Sequence, residues 1–214
     1  KIQVQSNGGL IVAIISNATT IADAGAFSVG LGSMVLIKTI TASASATLSF
    51  VHGTDGVVLD STYPIYKFEF INIHPATNNV KFQFNLTTDG TNFNVTKTST
   101  YFAAYHSEAD DAGLAYSTGS DLAQSTSDQP IAEDVGSDND QAPSGSLFLF
   151  NPSSTTFVKH YLANMSNSQQ TDYSQNIFSA GYGNTTSAIT GARFKFASGN
   201  IDSGKIKLYG IKRS

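Results

Sequence analysis

Acidic side chains are concentrated in one stretch of this chain, where their spacing could support cation binding. No Lys or Arg occurs between Lys97 and Lys159, and this interval holds nine of the sixteen acidic residues. Glu133 and Asp134, followed by the Ser-Asp-Asn-Asp run at 137–140, bring hard oxygen ligands together as a calcium loop does. The EF-hand order is absent, because the run lacks the required Gly and the final Glu. A solvated acidic loop that keeps the protein soluble is the alternative.

Paired carboxylates for glycoside hydrolysis are the second possibility. This chemistry needs two carboxyl groups at a set separation, one of them with a raised pKa. The only three glutamates are Glu69, Glu108 and Glu133. Glu69 alternates with Phe68 and Phe70, which predicts that it faces solvent on a strand. No spacing marks a catalytic pair, so we expect that the chain is not an enzyme.

Metal, nucleophile and nucleotide motifs are missing from the sequence. His52, His74, His106 and His160 lie far apart and form neither an HxH nor an HExxH spacing. There is no G-x-S-x-G elbow, no Walker loop and no G-x-G-x-x-G turn after a strand. The chain has no Cys, which excludes disulfides and cysteine nucleophiles. We predict no catalytic residue, no metal ligand and no cofactor.

Tyrosines and acids near predicted loops are the best candidates for a binding surface. Exposed Tyr rings can stack on sugar rings, while Asp, Asn and Ser bond the sugar hydroxyls. The tyrosines in or near such loops are Tyr101, Tyr105, Tyr116, Tyr173 and Tyr182. The alternative is that most of them cap the core with the hydroxyl in water. The residues that we predict to bind a partner are Tyr105, Asp110, Asp111, Tyr116, Asp138 and Asp140.

Composition indicates a soluble all-β protein and argues against nucleic acid as a partner. The chain has 214 residues, of which 40% are hydrophobic and only 13% are charged. Its net charge of -4 and pI near 5.4 do not provide the cationic footprint that phosphate binding requires. No segment approaches the roughly 18 apolar residues that span a membrane. We therefore expect neither nucleic-acid binding nor membrane insertion.

Short alternating segments after about residue 34 predict the strands that position these side chains. Residues 66–70 and 81–86 alternate between apolar and polar positions. The Asp-Gly pair at 89–90 then predicts a hairpin turn. Residues 94–105 predict either a strand pair or one long strand.

The acidic segment at about 107–145 carries weak strand signals, which predict one or two long loops on one side of the domain. Roughly eight to ten strands are expected from about residue 34 onward, and no segment shows the apolar period of a helix. This pattern predicts a jelly-roll-like antiparallel β-sandwich over residues 34–214.

The first 33 residues differ in composition from the rest. They are small and polar, with Lys1 and Asp23 as the only charges and one apolar run at 10–15. Because so few of these residues could build a core, we predict that residues 1–33 form an extended N-terminal arm. The arm would anchor the protein or exchange a strand, by adding its apolar run to the main domain or to a partner. A disordered tail is the alternative.

Four motifs occur together in this chain: FINIHPAT at 70–77, LFNPSSTTFVKH at 149–160, AGYGNTTSAI at 180–189 and KLYGI at 207–211. In this order they resemble a family of virion structural proteins of marine tailed phages, including phages of cyanobacteria and of Pelagibacter-like hosts. The resemblance covers about residues 33–211, and the Asn-Pro-Ser-Ser-Thr-Thr run is its most specific part.

The resemblance implies a non-enzymatic component of the extracellular particle surface. A tail fibre or tail appendage that attaches the virion to its host is the favoured interpretation. Capsid decoration or a head fibre, and a lectin-type carbohydrate-binding module, are the alternatives. The expected partners are other virion proteins through the arm, a host surface glycan, and further copies of the chain in a homo-oligomer, with a trimer favoured.

Overall fold

A computed structural model of the chain describes residues 33–212 with their side chains, and the backbone of residues 2–7, 10–16, 19–23 and 26–27. The chain divides into two compact units, residues 1–35 and 36–213. The first unit contains a four-stranded antiparallel sheet. Its strands follow chain order: β1 (Ile2–Asn7), β2 (Leu10–Ser16), β3 (Thr19–Asp23) and β4 (Ala26–Phe27). The segment predicted as an extended arm thus has a sheet of its own, and its anchoring role stays a prediction.

The remaining strands form two further sheets. They are β5 (Met34–Thr41), β6 (Leu48–Val51), β7 (Ile65–Pro75), β8 (Val80–Thr87), β9 (Lys97–Ser107), β10 (Ala112–Tyr116), β11 (Gln129–Val135), β12 (Ser144–Phe150), β13 (Lys159–Ser168), β14 (Tyr173–Gly183), β15 (Gly191–Phe196) and β16 (Ile201–Ile211). One sheet has eight strands in the order β10-β9-β14-β13-β12-β7-β16-β5, and the other has four in the order β11-β8-β15-β6. The predicted all-β antiparallel sandwich is confirmed, while jelly-roll connectivity stays a prediction.

Aromatic side chains on alternate strand positions fill the space between these two sheets. Phe68 and Phe70 of β7 are buried, as the alternation in the sequence predicts. The ring of Phe194 on β15 lies 5.0 Å from that of Phe68 and 5.1 Å from that of Phe70. Such ring pairs contribute about 0.5–1.5 kcal/mol each beyond the burial of their area. The core therefore ties the larger sheet to the smaller one.

The predicted hairpin at residues 89–90 is wrong, because the strands on either side of it belong to different sheets. β8 lies in the four-stranded sheet and β9 in the eight-stranded one. The carboxylate of Asp89 organises this connection by accepting hydrogen bonds from the backbone N–H of Thr91 at 2.8 Å and of Asn92 at 2.7 Å. Hydrogen bonds from Asn92 and Thr91 also hold the pKa of Asp89 well below its usual range.

The acidic segment at 107–145 is more ordered than the predicted long loops. It contains β10, β11 and the first residues of β12. β10 has only five residues, three of them Ala or Gly, and pairs only with β9, while the alternation of β11 is interrupted by register shifts before Ala132 and Val135. These irregularities explain the weak strand signals in the sequence. Residues 97–107 form the single strand β9, which confirms the prediction of one long strand in this region and not of a strand pair.

Candidate functional site

The structure places five of the six predicted binding residues at three sites. Tyr105 and Asp111 line one cleft, called here the tyrosine cleft, with a volume of 400 Å³. Asp110 and Asp140 line a second opening, called the acidic cleft, of 580 Å³. Tyr116 lies on the exposed face of the eight-stranded sheet, where its hydroxyl donates a hydrogen bond to Asp121 at 2.6 Å.

Asp138 lines neither cleft, although it lies close in sequence to Asp140. Its side chain is exposed, and its backbone makes the contacts that the structure records. The carbonyl oxygen of Asp138 is 3.1 Å from Nε2 of His74, and its N–H donates to Oε1 of Gln141 at 3.4 Å. The Asp138 carboxylate therefore has no established part in either cleft.

Two tyrosines on paired strands form one wall of the tyrosine cleft. Tyr105 of β9 and Tyr173 of β14 have ring centroids 5.8 Å apart, at an angle of 63°. The Tyr173 hydroxyl donates a hydrogen bond to Oδ2 of Asp111 at 3.2 Å. Antiparallel pairing of β9 with β14 places Tyr105 opposite Gln175, which is two residues from Tyr173 along β14, so the two rings lie on the same face. The pairing thus brings together aromatic rings that are far apart in sequence.

The facing wall of the tyrosine cleft comes from an irregular part of β11. Asp134 has a left-handed backbone, with φ at 53°, inside the register shift that ends at Val135. This distortion brings Glu133 and Asp134 to the cleft together. Oδ2 of Asp134 accepts a hydrogen bond from Nε2 of Gln169 at 3.0 Å, and Oε2 of Glu133 accepts one from the Ser120 hydroxyl at 2.6 Å.

Rings, carboxylates and amides therefore line the tyrosine cleft together, which is the chemistry that binds sugar rings and their hydroxyls. Sequence reasoning named Tyr173 among the possible stacking residues but did not find Gln169 or Gln175. Neither glutamine belongs to a motif, because their place in the cleft depends on how β13 and β14 pair. The burial of Gln175, with a 3.0 Å hydrogen bond from Asn167 to its Oε1, is visible only in the fold.

The acidic cleft collects carboxylates from separate segments. Glu108, Asp110, Asp140 and Asp172 line it beside His106. Nε2 of His106 lies 3.2 Å from Oδ1 of Asp110, and both side chains are largely exposed. Across residues 33–212, no three His, Cys, Asp or Glu side chains are grouped closely enough to hold a metal ion. The calcium-loop alternative thus gains no support from this cleft.

Two other tyrosines considered for sugar stacking lie outside the clefts. Tyr101 is completely buried in the core, which corrects its placement near a predicted loop. Burial, together with the negative charges of Glu133 and Asp134, raises the pKa of its hydroxyl well above the usual range. Tyr182 lies on β14 with its ring 6.2 Å from that of His160.

An apolar strip crosses the outer face of the eight-stranded sheet. It consists of Tyr116, Phe102, Phe178, Leu162 and Phe148, on the adjacent strands β10, β9, β14, β13 and β12. The stacked rings of Phe102 and Phe178 are 5.2 Å apart, and Leu162 is 51% exposed. The strip also borders a groove of 340 Å³. Side chains of this size on an outer face are typical of an interaction surface.

Comparisons with protein-family models, with curated proteins and with solved structures yield no match for this chain. Within the described residues, no helix has the length and hydropathy needed to cross a membrane.

Proposed function

We propose that this chain is a non-enzymatic surface protein of a bacteriophage virion that binds a glycan on the host surface. The tyrosine cleft is the observation that carries the attachment role, because it combines the rings of Tyr105 and Tyr173 with the Asp111, Glu133 and Asp134 carboxylates. The resemblance of the four motifs to phage virion structural proteins supports the virion part of the proposal. A tail fibre or tail appendage is the proposed location, and the alternatives are capsid decoration, a head fibre or a free lectin-type module.

Binding to host-surface polysaccharide tests the attachment role. We expect Tyr173→Ala to weaken binding roughly tenfold, because it removes a stacking ring and a hydrogen bond to Asp111. Tyr182→Ala is the matched control, since that ring lies outside both clefts. Immobilised polysaccharide and surface plasmon resonance would give the affinities. Equal losses in the two variants, or no binding by the parent, would contradict the glycan-binding role.

We also propose that the apolar strip faces a second copy of this chain. Eight strands about 4.8 Å apart and about 30 Å long give an outer face of about 1,000 Å², comparable with the roughly 800 Å² that each partner of a stable dimer buries. Two lysines, Lys67 and Lys207, and one acid, Glu69, lie beyond the β12 end of the strip, where Glu69 pairs with Lys67 at 3.2 Å. Asp121 lies at the β10 end. A half-turn about an axis that lies between the two copies and runs parallel to the strands would place each acidic end near the basic end of the other copy.

Light scattering of Leu162→Glu tests this contact between copies. We expect the parent to be a dimer and this variant to be a monomer, because the new carboxylate would be buried against apolar side chains. Phe157→Glu is the control, since Phe157 is 67% exposed but is not part of the strip. An oligomer that survives Leu162→Glu, including the trimer favoured from the sequence, would show that copies associate through another surface. Labelled copies seen by electron microscopy on the tail or the capsid would decide the location.

A further inference from the structure

A lysine at the start of β9 is buried without an acidic partner. Lys97 begins β9, and none of its surface is exposed. Its Nζ donates hydrogen bonds to Oδ1 of Asn85 at 2.6 Å and to the carbonyl oxygen of Val95 at 2.7 Å. Among the described residues, no carboxylate oxygen lies within ion-pair distance of this nitrogen. A buried ammonium group with only neutral acceptors is costly, so this arrangement needs an explanation.

Both polar atoms of the Asn85 side-chain amide form hydrogen bonds. Besides Lys97, its Oδ1 accepts a hydrogen bond from the backbone N–H of Leu86 at 2.9 Å. Its Nδ2 donates to the carbonyl oxygen of Thr126 at 3.0 Å and to Oδ1 of Asp128 at 2.9 Å. Because the carbonyl and the carboxylate only accept, these contacts agree on which side-chain atom is oxygen and which is nitrogen. The amide is thus oriented with its oxygen toward the lysine and its nitrogen toward a carboxylate.

These neighbours supply the groups that acyl transfer to an amine requires. The N–H of Leu86 points at the Asn85 oxygen, where negative charge develops when a nucleophile adds to the carbonyl carbon. The Asp128 carboxylate lies at the nitrogen that would leave, and is itself held by Arg193 at 2.9 Å. Burial lowers the pKa of Lys97 to about 8, with the charge of Arg193 acting in the same direction and that of Asp128 opposing it. Near neutral pH, a larger fraction of this amine is therefore neutral and nucleophilic than of an ordinary lysine.

We propose that Lys97 and Asn85 join in an intramolecular amide bond between Nζ of the lysine and Cγ of the asparagine. The neutral amine adds to Cγ, so the Nζ–Cγ bond forms, and the Cγ–Nδ2 bond then breaks. In the tetrahedral adduct Nζ and Nδ2 are bonded to the same carbon, so the Asp128 carboxylate beside Nδ2 can take one proton from Nζ and give it to Nδ2, which leaves as ammonia. The carbon remains an amide carbon throughout, so no oxidant or reductant takes part.

The bond would join the two layers of the sandwich. Asn85 lies on β8 of the four-stranded sheet, and Lys97 begins β9 of the eight-stranded sheet. It would also replace a buried charge by a neutral group with hydrogen-bonding partners in place. In a chain without cysteine, this bond would restrict the unfolded state as a disulfide does.

Intact-mass spectrometry of the full chain tests the proposal after incubation at about pH 8, where the amine is partly neutral. We expect a mass about 17 Da below that of the sequence, which is the loss of one ammonia. Lys97→Arg should restore the full mass, since its guanidinium cannot form this bond. Lys159→Arg is the matched control and should keep the loss, because Nζ of Lys159 contacts only backbone carbonyls. A parent at full sequence mass overturns the proposal.

Peptide mapping separates the proposed bond from a succinimide, which has the same mass loss. Trypsin should not cleave after a modified Lys97, and no other Lys or Arg occurs before Lys159, so a single peptide covering 82–159 is expected. A second cleavage after Phe93 should leave two fragments that remain joined. Separate fragments, or the same mass loss in Lys97→Arg, would overturn the assignment. Asp128→Asn should retain the sandwich, as shown by circular dichroism, but form the bond much more slowly.

Discussion

The two lysines that flank the cation-free stretch, Lys97 and Lys159, are both fully buried but have different surroundings. Each begins a strand, and both strands pair with β14 at the same residue, Gly183, from opposite sides. Nζ of Lys97 contacts a side-chain amide, whereas Nζ of Lys159 contacts the carbonyl oxygens of Phe157 at 2.6 Å and Thr185 at 3.3 Å.

The comparison shows that burial of an amine does not by itself create a reactive site. Burial lowers the pKa of both lysines. Only Lys97 has an acyl group whose nitrogen can leave, with the Asp128 carboxylate beside that nitrogen. The difference lies in the neighbouring residues, which the fold brings from β8 and from the segment before β11.

Thermal unfolding should show the largest difference between these two sites. We expect Lys97→Met to lower Tm by roughly 6–12 °C, because a cross-link that closes a short loop contributes about 3 kcal/mol. Lys159→Met should change Tm by less than about 3 °C, since it removes a buried charge but leaves two carbonyls without a donor. Differential scanning calorimetry of the two variants beside the parent measures both. Equal losses would indicate that the lysines stabilise the fold in the same way.

We expect a smaller effect in the pH dependence of stability, where the parent is compared with Asp128→Asn. In a chain without the bond, the Lys97 pKa rises from about 8 when folded to 10.5 when unfolded, so the unfolded state binds more protons between these values. Stability from this group therefore increases with pH across that window. The bonded parent lacks this contribution, because an amide nitrogen does not titrate. Loss of the Asp128 charge lowers the Lys97 pKa further, so the deficit in the free energy of unfolding of Asp128→Asn should already be narrowing at pH 8 and should continue to narrow up to pH 10.5.

Urea unfolding of both proteins across that range provides the measurement. A deficit that stays constant with pH would mean that Lys97 does not titrate in the variant either. Lys159→Met provides the internal comparison for the second buried amine. Burial lowers the pKa of Lys159 in the folded state, so this group should make the parent more stable as the pH rises above that pKa. Lys159→Met should lack this increase in stability.

The clefts show how far sequence reasoning could go toward the candidate site. Asp110, Asp111 and Asp140 are exposed, as charged residues beside turns usually are, whereas Tyr105 is half-buried on β9, and the binding role of all four stays a prediction. Their division between two clefts was not predictable, since it depends on which strands pair. Gln169 and Gln175 carried no signal, because isolated polar residues on a strand are equally typical of a solvated face.

The sequence by itself determined the class of the fold. Alternating aromatic residues, turn residues between short segments and the lack of a helical period have physical consequences that act within a few residues. They predicted an antiparallel sandwich, and they predicted the buried face of β7 through Phe68 and Phe70. These patterns are local, so they do not depend on which strands become neighbours.

Tertiary structure alone decided which distant residues meet. β8 and β9 are joined by one connection but belong to different sheets, so the contact of Asn85 with Lys97 links the two sheets and is not part of a hairpin. Asp128 reaches the same place from 43 residues beyond Asn85. A periodic pattern predicts which face of a strand is buried. It does not predict which side chains that face will contact, because strand order and sheet packing determine those contacts.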